Sequence, residues 1–323
     1  MSPLRVAVIG SGAFGKNHIR VIHQLPDIEL YGIVDTDFPK AQALAQEYST
    51  TAYAAVSDVI GNIDAAIIAT PTTTHEEIAG RFLNAGVDVL VEKPIAATSA
   101  AGRRIAQMAE EHGRILQVGH LERFNPAVTA LERAITIPLF FEVHRLSVFT
   151  QRSLDIDVVL DLMIHDLDIV LSLTREAPQE IRAAGISVLS GKVDIANVRL
   201  SFASGCVANL TASRVSTEKV RKLRVFQPGE YISLDYHRQE AIRLAIRKNE
   251  PISVPEIGFE SLKTERGEPL QIELASFFQS VRTRRKPRVD GHQAAAALAV
   301  AEAILAKIKE HADLVAETIR RSR

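Results

Sequence analysis

Short, unbroken apolar runs alternate with amphipathic stretches along the first third of the chain. Leu4–Ile9, Ile28–Val34, Ala65–Ala69, Val87–Val91 and Ile115–Val118 predict strands. Between them Phe14–Leu25, Phe38–Tyr48, Thr74–Ala85 and Ser99–His112 carry helical spacing. A strand that is apolar at every position is buried on both faces, as in a parallel sheet covered by helices. Strand–helix alternation implies βαβ units with right-handed crossovers. The rhythm changes after about residue 123. A helix at Pro126–Ala134, a long strand at Leu139–Phe149 and a buried helix at Val158–Leu173 are predicted next. Strands then follow in series at Ile181–Leu189, Val193–Phe202, Cys206–Ser213, Arg221–Phe226 and Tyr231–Asp235, with Ser204-Gly205 as a hairpin turn. Asn249–Pro269 is loop-rich, and helices near Leu270–Arg282 and Gln293–Glu317 close the chain. The expected fold is α/β, a doubly wound parallel sheet over residues 1–123 and an α/β domain with an open, largely antiparallel sheet over residues 124–323.

Composition changes this picture little. The 323 residues suit two domains, and 46% hydrophobic with 24% charged residues is ordinary for a soluble globular protein. A formal net charge of −1 gives no global attraction to nucleic acid or to an anionic membrane. No run of apolar residues is long enough for a membrane span, and none near Met1 reads as a signal peptide. Cys206, the single cysteine, permits no intrachain disulfide and suits a reducing cytoplasm. It reads as a small core residue rather than a reactive thiol.

Gly10-Ser-Gly12-Ala13-Phe14-Gly15 directly follows the first strand and opens the first helix. In that context the glycines serve a dinucleotide: Gly10 for the tight turn, Gly12 for approach of the pyrophosphate, Gly15 for helix–strand packing. The helix N-terminus adds N–H groups and a positive dipole. Asp35 ends the second strand, twenty residues after Gly15, where a carboxylate accepts hydrogen bonds from ribose hydroxyls and repels a 2′-phosphate. NAD is therefore expected rather than NADP. Asp37 reads as a helix cap. Ala69-Thr70-Pro71 closes a strand at the ligand edge of the sheet, with Thr70 and His75 near the nicotinamide half, although His75 also fits a solvent-facing helix start.

Glu92-Lys93-Pro94 follows the next strand, with Glu92 and Lys93 as candidate cofactor contacts. Together with the glycine motif, Ala69-Thr70-Pro71, His75, Asp161-Leu-Met-Ile-His165-Asp-Leu-Asp168, Glu273-x-x-x-Phe277 and Pro287-x-Val289-Asp290-Gly291, it resembles the Gfo/Idh/MocA oxidoreductase family over nearly the whole chain. The resemblance implies a Rossmann domain, a second domain whose open sheet makes homodimers or homotetramers, and hydride transfer at a sugar or polyol carbon. Val118-Gly-His120-Leu-Glu-Arg123-Phe-Asn125-Pro126 with Asp157–Asp168 resembles, within the family, the UDP-N-acetylglucosamine 3-dehydrogenase branch. In bacteria that reaction feeds the diamino sugars of some lipid A molecules and related glycans.

The residues support such chemistry. Lys93, at the sheet edge and partly desolvated, is suited to hold or take a hydroxyl proton; the bland alternative is a surface lysine paired with Glu92. Asp161 and His165 are four apart and share one helix face, so the carboxylate can orient the imidazole as general acid/base; the alternative is an ion pair in the core. Within the resembled family the positions of Asp161 and His165 line the substrate site. No metal is expected, because hydride transfer to NAD⁺ needs none. A nucleotide sugar carries two phosphate charges, for which Arg123, Arg145 and Arg152 are candidates, with Asn125 and Asp157 beside them; each arginine also fits a salt bridge. The basic run Arg282–Arg288 reads as a solvated helix end rather than a nucleic-acid patch.

Overall fold

The computed structural model describes residues 2–150, 156–247 and 256–321. Its chain separates into two compact units, residues 1–121 with 268–296 and residues 122–267 with 297–323.

The first unit is built on six parallel strands. In chain order its elements are β1 (Leu4–Ile9), α1 (Ala13–Gln24), β2 (Ile28–Val34), α2 (Phe38–Glu47), β3 (Thr51–Tyr53), β4 (Ala65–Ile68), α3 (His75–Asn84), β5 (Asp88–Glu92), α4 (Ser99–Glu111) and β6 (Leu116–Gly119). The strand order β3-β2-β1-β4-β5-β6 reverses direction at β1/β4, which is where ligands meet such sheets. Val6 to Val8, Ala65 to Ile68 and Val89 to Val91 are fully buried, as continuous apolar runs require. β3 has only three residues and pairs along one edge of β2, too short to leave a periodic signal.

The second unit carries eight strands in the order β14-β13-β12-β11-β7-β10-β9-β8. Its elements are α5 (Pro126–Ala134), β7 (Phe140–Val148), a π-turn at Val159–Met163 leading into α6 (Ile164–Thr174), then β8 (Glu180–Ile186), β9 (Ile195–Ser201), β10 (Val207–Ser216), β11 (Val220–Gln227), β12 (Glu230–Asp235), β13 (Glu240–Arg247) and β14 (Glu256–Ser261). All neighbours are antiparallel except β7 and β10. Alternate residues of β7, β9, β10 and β11, among them Phe141, Val143, Val198, Leu210 and Leu223, are buried in one apolar core with α5 and α6. Cys206 belongs to that core, and burial pushes its thiol up to about 11. Two strands depart from the periodicity reading: β13 follows the predicted series, and β14 falls in the stretch read as loop. β13 is written in good helix formers (Glu240-Ala-Ile-Arg-Leu-Ala), and only pairing with β12 and β14 makes it a strand.

The last two helices are α7 (Pro269–Thr283) and α8 (Gly291–Arg321). The periodicity suggests one boundary near residue 123, but α7 returns to the first unit. Leu274, Phe277, Phe278 and Val281 of α7 complete the apolar core under β1, β4 and α1. Three cations of the basic run after them are held within the unit. Arg284 binds Asp88 and the Gly113 carbonyl, Arg282 the Asp27 carbonyl, and Lys286 the Asp290 carboxylate. No helix among the described residues is long and apolar enough to cross a membrane.

Candidate functional site

In the first unit the turn from β1 into α1 is fixed by contacts that admit only glycine. Gly10 has φ +99°, and a Cβ there would stand 2.5 Å from the Ala69 carbonyl oxygen. A Cβ on Gly15 would stand 1.8 Å from the Gly10 carbonyl oxygen. At Gly12 a Cβ would meet no atom within 4 Å, so the open side of the turn lies there. Gly12 caps α1 without a side-chain hydrogen bond, which leaves the first N–H groups of the helix to an anion. Ala13 and Phe14 follow, exposed, with Phe14 58% accessible.

Asp35 stands beside this turn at the end of β2. Its carboxylate accepts the backbone N–H of Ser11 at 2.7 Å, the Ser11 hydroxyl, and the Asp37 N–H at 2.9 Å. Burial raises its pKa, but those hydrogen bonds outweigh it and hold the group below its ordinary value, so it is an anion at neutral pH. Three bonds leave room for a further donor on a carboxylate, as a ribose hydroxyl requires. Asp37 caps α2 through the Lys40 N–H at 3.3 Å. The residues fit a dinucleotide: an uncapped helix start, a turn open at Gly12 and a fixed carboxylate twenty residues on.

His75 is not at the surface. It is 1% exposed, with its ring nitrogens each 3.0 Å from a backbone carbonyl, Nδ1 from Pro94 and Nε2 from Thr70. Burial holds its pKa below the ordinary value against the opposing effect of those carbonyls. The ring therefore sits between the Thr70-Pro71 and Lys93-Pro94 turns, buried away from any ligand, and as a neutral imidazole donates its one N–H to one of the two carbonyls. The Thr74 hydroxyl, 2.8 Å from Thr70 Oγ1 and from the Pro71 carbonyl, fixes the same turn.

Glu92, read as a cofactor contact, is likewise turned inward. Its Oε1 lies 2.7 Å from Nε2 of buried His18, and its Oε2 accepts the N–H of Lys93 at 3.3 Å. Lys93 is half-buried at the end of β5. Near Glu92 stands Glu273 of α7, 1% exposed, whose carboxyl oxygens make no hydrogen bond. Burial first, and the neighbouring charge of Glu92 second, push its pKa well above the carboxylate range. His18 carries no motif signal. Glu273 does stand in a recognised motif, yet its burial follows only from the return of α7.

In the second unit the π-turn carries Asp161 and the first turn of α6 carries His165, both half-buried. π-turns inside helices recur at functional sites, because the extra residue re-aims its neighbours. Asp157 serves the backbone: its Oδ1 accepts the Val193 N–H at 2.8 Å. Asp166, the residue after His165, is the partner of Arg145. The guanidinium gives Nε to Oδ2 at 2.7 Å and Nη2 to Oδ1 at 2.9 Å, while Nη1 reaches Glu122 at 2.9 Å. Tyr236 stacks on this guanidinium, 4.9 Å from ring centre to Cζ. Arg145 is thus spent inside the unit and is not the phosphate ligand expected. Arg123 is buried too, with Nε 3.2 Å from Glu132 and Nη1 3.5 Å from Asp168. Asn125 caps α5 through the Ala127 N–H and holds the Tyr236 carbonyl. Arg152 lies outside the described residues.

The arginine that sequence reading missed is Arg221, opposite Arg145 on β11. Its side chain is 33% exposed, its nearest carboxylate is Glu122 at 3.8 Å, and its buried Nε makes no hydrogen bond. Burial and the neighbouring Arg145 charge lower its pKa, and Glu122, Asp166 and Asp161 oppose them. Register alone would have found it, since cross-strand partners share a face. Among the described residues no three His, Cys, Asp or Glu side chains group as a metal site would need.

Comparison with known proteins gives the same division. Residues 4–120 match the oxidoreductase family with an NAD-binding Rossmann fold, and residues 134–227 match the GFO/IDH/MocA C-terminal domain. UDP-N-acetylglucosamine 3-dehydrogenase of Acidithiobacillus ferrooxidans is 33% identical over 293 residues, covering 90% of this chain and 93% of that protein. Its solved structure superposes with a TM-score of 0.89 at 32% identity, covering 96% of this chain and 99% of the other. Inositol 2-dehydrogenase of Rhizobium meliloti is 25% identical, covering 95% and 97% of the two chains.

Proposed function

Since the chain belongs to the Gfo/Idh/MocA oxidoreductase family, with NAD as its cofactor, we propose that it oxidises the C3 hydroxyl of UDP-N-acetylglucosamine to the UDP-3-keto sugar. The observation that carries this reading is the near-full-length similarity to an enzyme named for that reaction. Inositol dehydrogenases also match, at lower identity, which makes a free polyol the competing substrate.

Bound NAD⁺ supplies the acceptor for the C3 hydride. We assign Gly10, Gly12, Gly15 and the open start of α1 to its phosphates and Asp35 to its ribose. In the second unit we assign the C3 hydroxyl proton to His165 as the carbon–oxygen double bond forms, with Asp161 orienting the imidazole; in the first unit we assign Lys93 to donate a hydrogen bond to the sugar. Arg221 takes the role expected of Arg145 and meets the diphosphate, because it is a half-buried cation, beside Arg145 on the same sheet, whose Nε makes no hydrogen bond within the protein. The keto product suits an aminotransferase, which places the enzyme in cytoplasmic synthesis of the diamino sugars of lipid A or a related glycan. The open face of the eight-stranded sheet, with Phe140, His144, Arg199 and Phe226, is the surface we assign to a homo-oligomer.

Deuterium placement tests the position of attack. With a 3-keto-sugar aminotransferase present to draw the equilibrium, UDP-N-acetylglucosamine deuterated at C3 is expected to give deuterated NADH and a primary isotope effect. Label retained in the sugar would refute oxidation at C3.

A further inference from the structure

Helix α1, which the glycine turn opens, and Lys93 lie on different elements of the first unit, yet one chain of hydrogen bonds joins them. His18 sits in the second turn of α1, the helix whose start faces the phosphates, and is 1% exposed. Its Nδ1 makes no hydrogen bond, so the tautomer that fits carries the proton on Nε2 and donates it to Glu92 at 2.7 Å. Glu92 is the last residue of β5, and its other oxygen accepts the N–H of Lys93. The neighbouring strand is shaped for this carboxylate. Gly119 of β6 is paired with Glu92, and a Cβ there would stand 3.0 Å from Oε2. On the far side of Lys93 the Pro94 carbonyl meets His75. The lysine backbone is therefore flanked on one side by the Glu92 carboxylate and on the other by the contact of Pro94 with buried His75.

We propose that His18 and Glu92 are positioning residues, coupling the phosphate-binding helix to the backbone of Lys93 so that its ammonium is aimed at the substrate. This rests on the assignment of Lys93 above. A salt bridge at a surface would add little, but a buried bond between an imidazole and a carboxylate fixes a strand end to a helix without slack. Misplacement of a reacting group by about 1 Å costs roughly a hundredfold in rate.

The test is a double-mutant cycle on the full chain, with kcat and NAD⁺ affinity read separately. His18→Ala and Glu92→Ala are each expected to lower kcat by about a hundredfold. NAD⁺ affinity should stay within about twofold, and the double variant should be no worse than the poorer single one. His18→Gln, whose amide nitrogen reaches where Nε2 stood, should recover most of the loss. Multiplying losses, a kcat untouched by His18→Ala, equal losses in affinity and kcat, or no rescue by glutamine would each overturn the coupling. If His18→Ala does not fold, Glu92→Gln decides, since it keeps the volume and removes the anion: reduced kcat with NAD⁺ still bound is expected, and wild-type kcat overturns the proposal. Lys93→Met separates the two levels. Wild-type turnover in that variant removes the lysine assignment itself, whereas a dead Lys93→Met beside a fully active His18→Ala removes only the positioning role.

Discussion

Asp35, Arg221 and Glu273 show how differently a charged side chain can be used once its surroundings are fixed. Asp35 is held as an anion by Ser11 and Asp37 and still has room for a ribose. Asp35→Ala is expected to weaken NAD⁺ binding about tenfold or more, at the usual strength of a charge-assisted hydrogen bond, and to narrow the preference over NADP⁺. Titration with both cofactors checks it, and an unchanged ratio would count against the ribose role. Arg145 and Arg221 face the same way on neighbouring strands but should respond oppositely. Arg145→Leu leaves Asp166 buried without its cation and should cost roughly 3–5 kcal/mol in urea unfolding. Arg221→Ala should leave the fold nearly untouched and raise KM for the nucleotide sugar by about tenfold or more. Glu273 makes a pH prediction. Its pKa is raised in the folded chain, so the folded state binds a proton that the unfolded chain releases above about pH 4.3. Its contribution is therefore complete at low pH and declines as pH rises toward the folded value. Glu273→Gln removes that dependence. Its melting temperature should gain on the wild type as pH rises above about 5, and a difference that is constant with pH would contradict a buried neutral carboxyl.

Elements were legible where a local rule decides them. β1 and β2 follow from continuous apolar runs, and α1 from the glycine turn before it, within a residue or so of their bounds. β3, β13 and β14 were not, because a short edge strand, a strand of helix formers and a strand amid polar residues owe their form to their neighbours. The site divides in the same way. The glycine turn, Asp35, Lys93, Asp161 and His165 stand out by motif and spacing. The inward turn of His75 and Glu92, the spent guanidinium of Arg145 and the half-open one of Arg221 depend on partners 19 to 99 residues away. The π-turn was invisible as well, since spacing reads an unbroken helix through Val159–Met163. Gly15 gives the element-scale prediction. Because a Cβ at this position would stand only 1.8 Å from the Gly10 carbonyl oxygen, Gly15→Ala must push the turn apart. Loss of NAD⁺ binding with both sheets intact by circular dichroism is expected, and full NAD⁺ affinity would contradict the tight turn.

At the scale of the molecule the return of α7 matters most. The first unit is not a continuous N-terminal piece: Leu274, Phe277 and Phe278 fill its core, and Arg284 fastens the segment to Asp88. A fragment of residues 1–123 is expected to unfold or aggregate, whereas residues 1–121 joined by a flexible linker to 268–296 should fold cooperatively and bind NAD⁺. A stable 1–123 fragment with full affinity would contradict this. The most direct measurement of the central claim is NADH formation, with a competent aminotransferase present, from UDP-N-acetylglucosamine, free N-acetylglucosamine and myo-inositol in parallel. A kcat/KM for the nucleotide sugar at least about a hundredfold above the other two is predicted, because a site built to pair a polar group rejects substrates that lack it. Turnover of myo-inositol or the free sugar with none of the nucleotide sugar, by protein that binds NAD⁺, would contradict it.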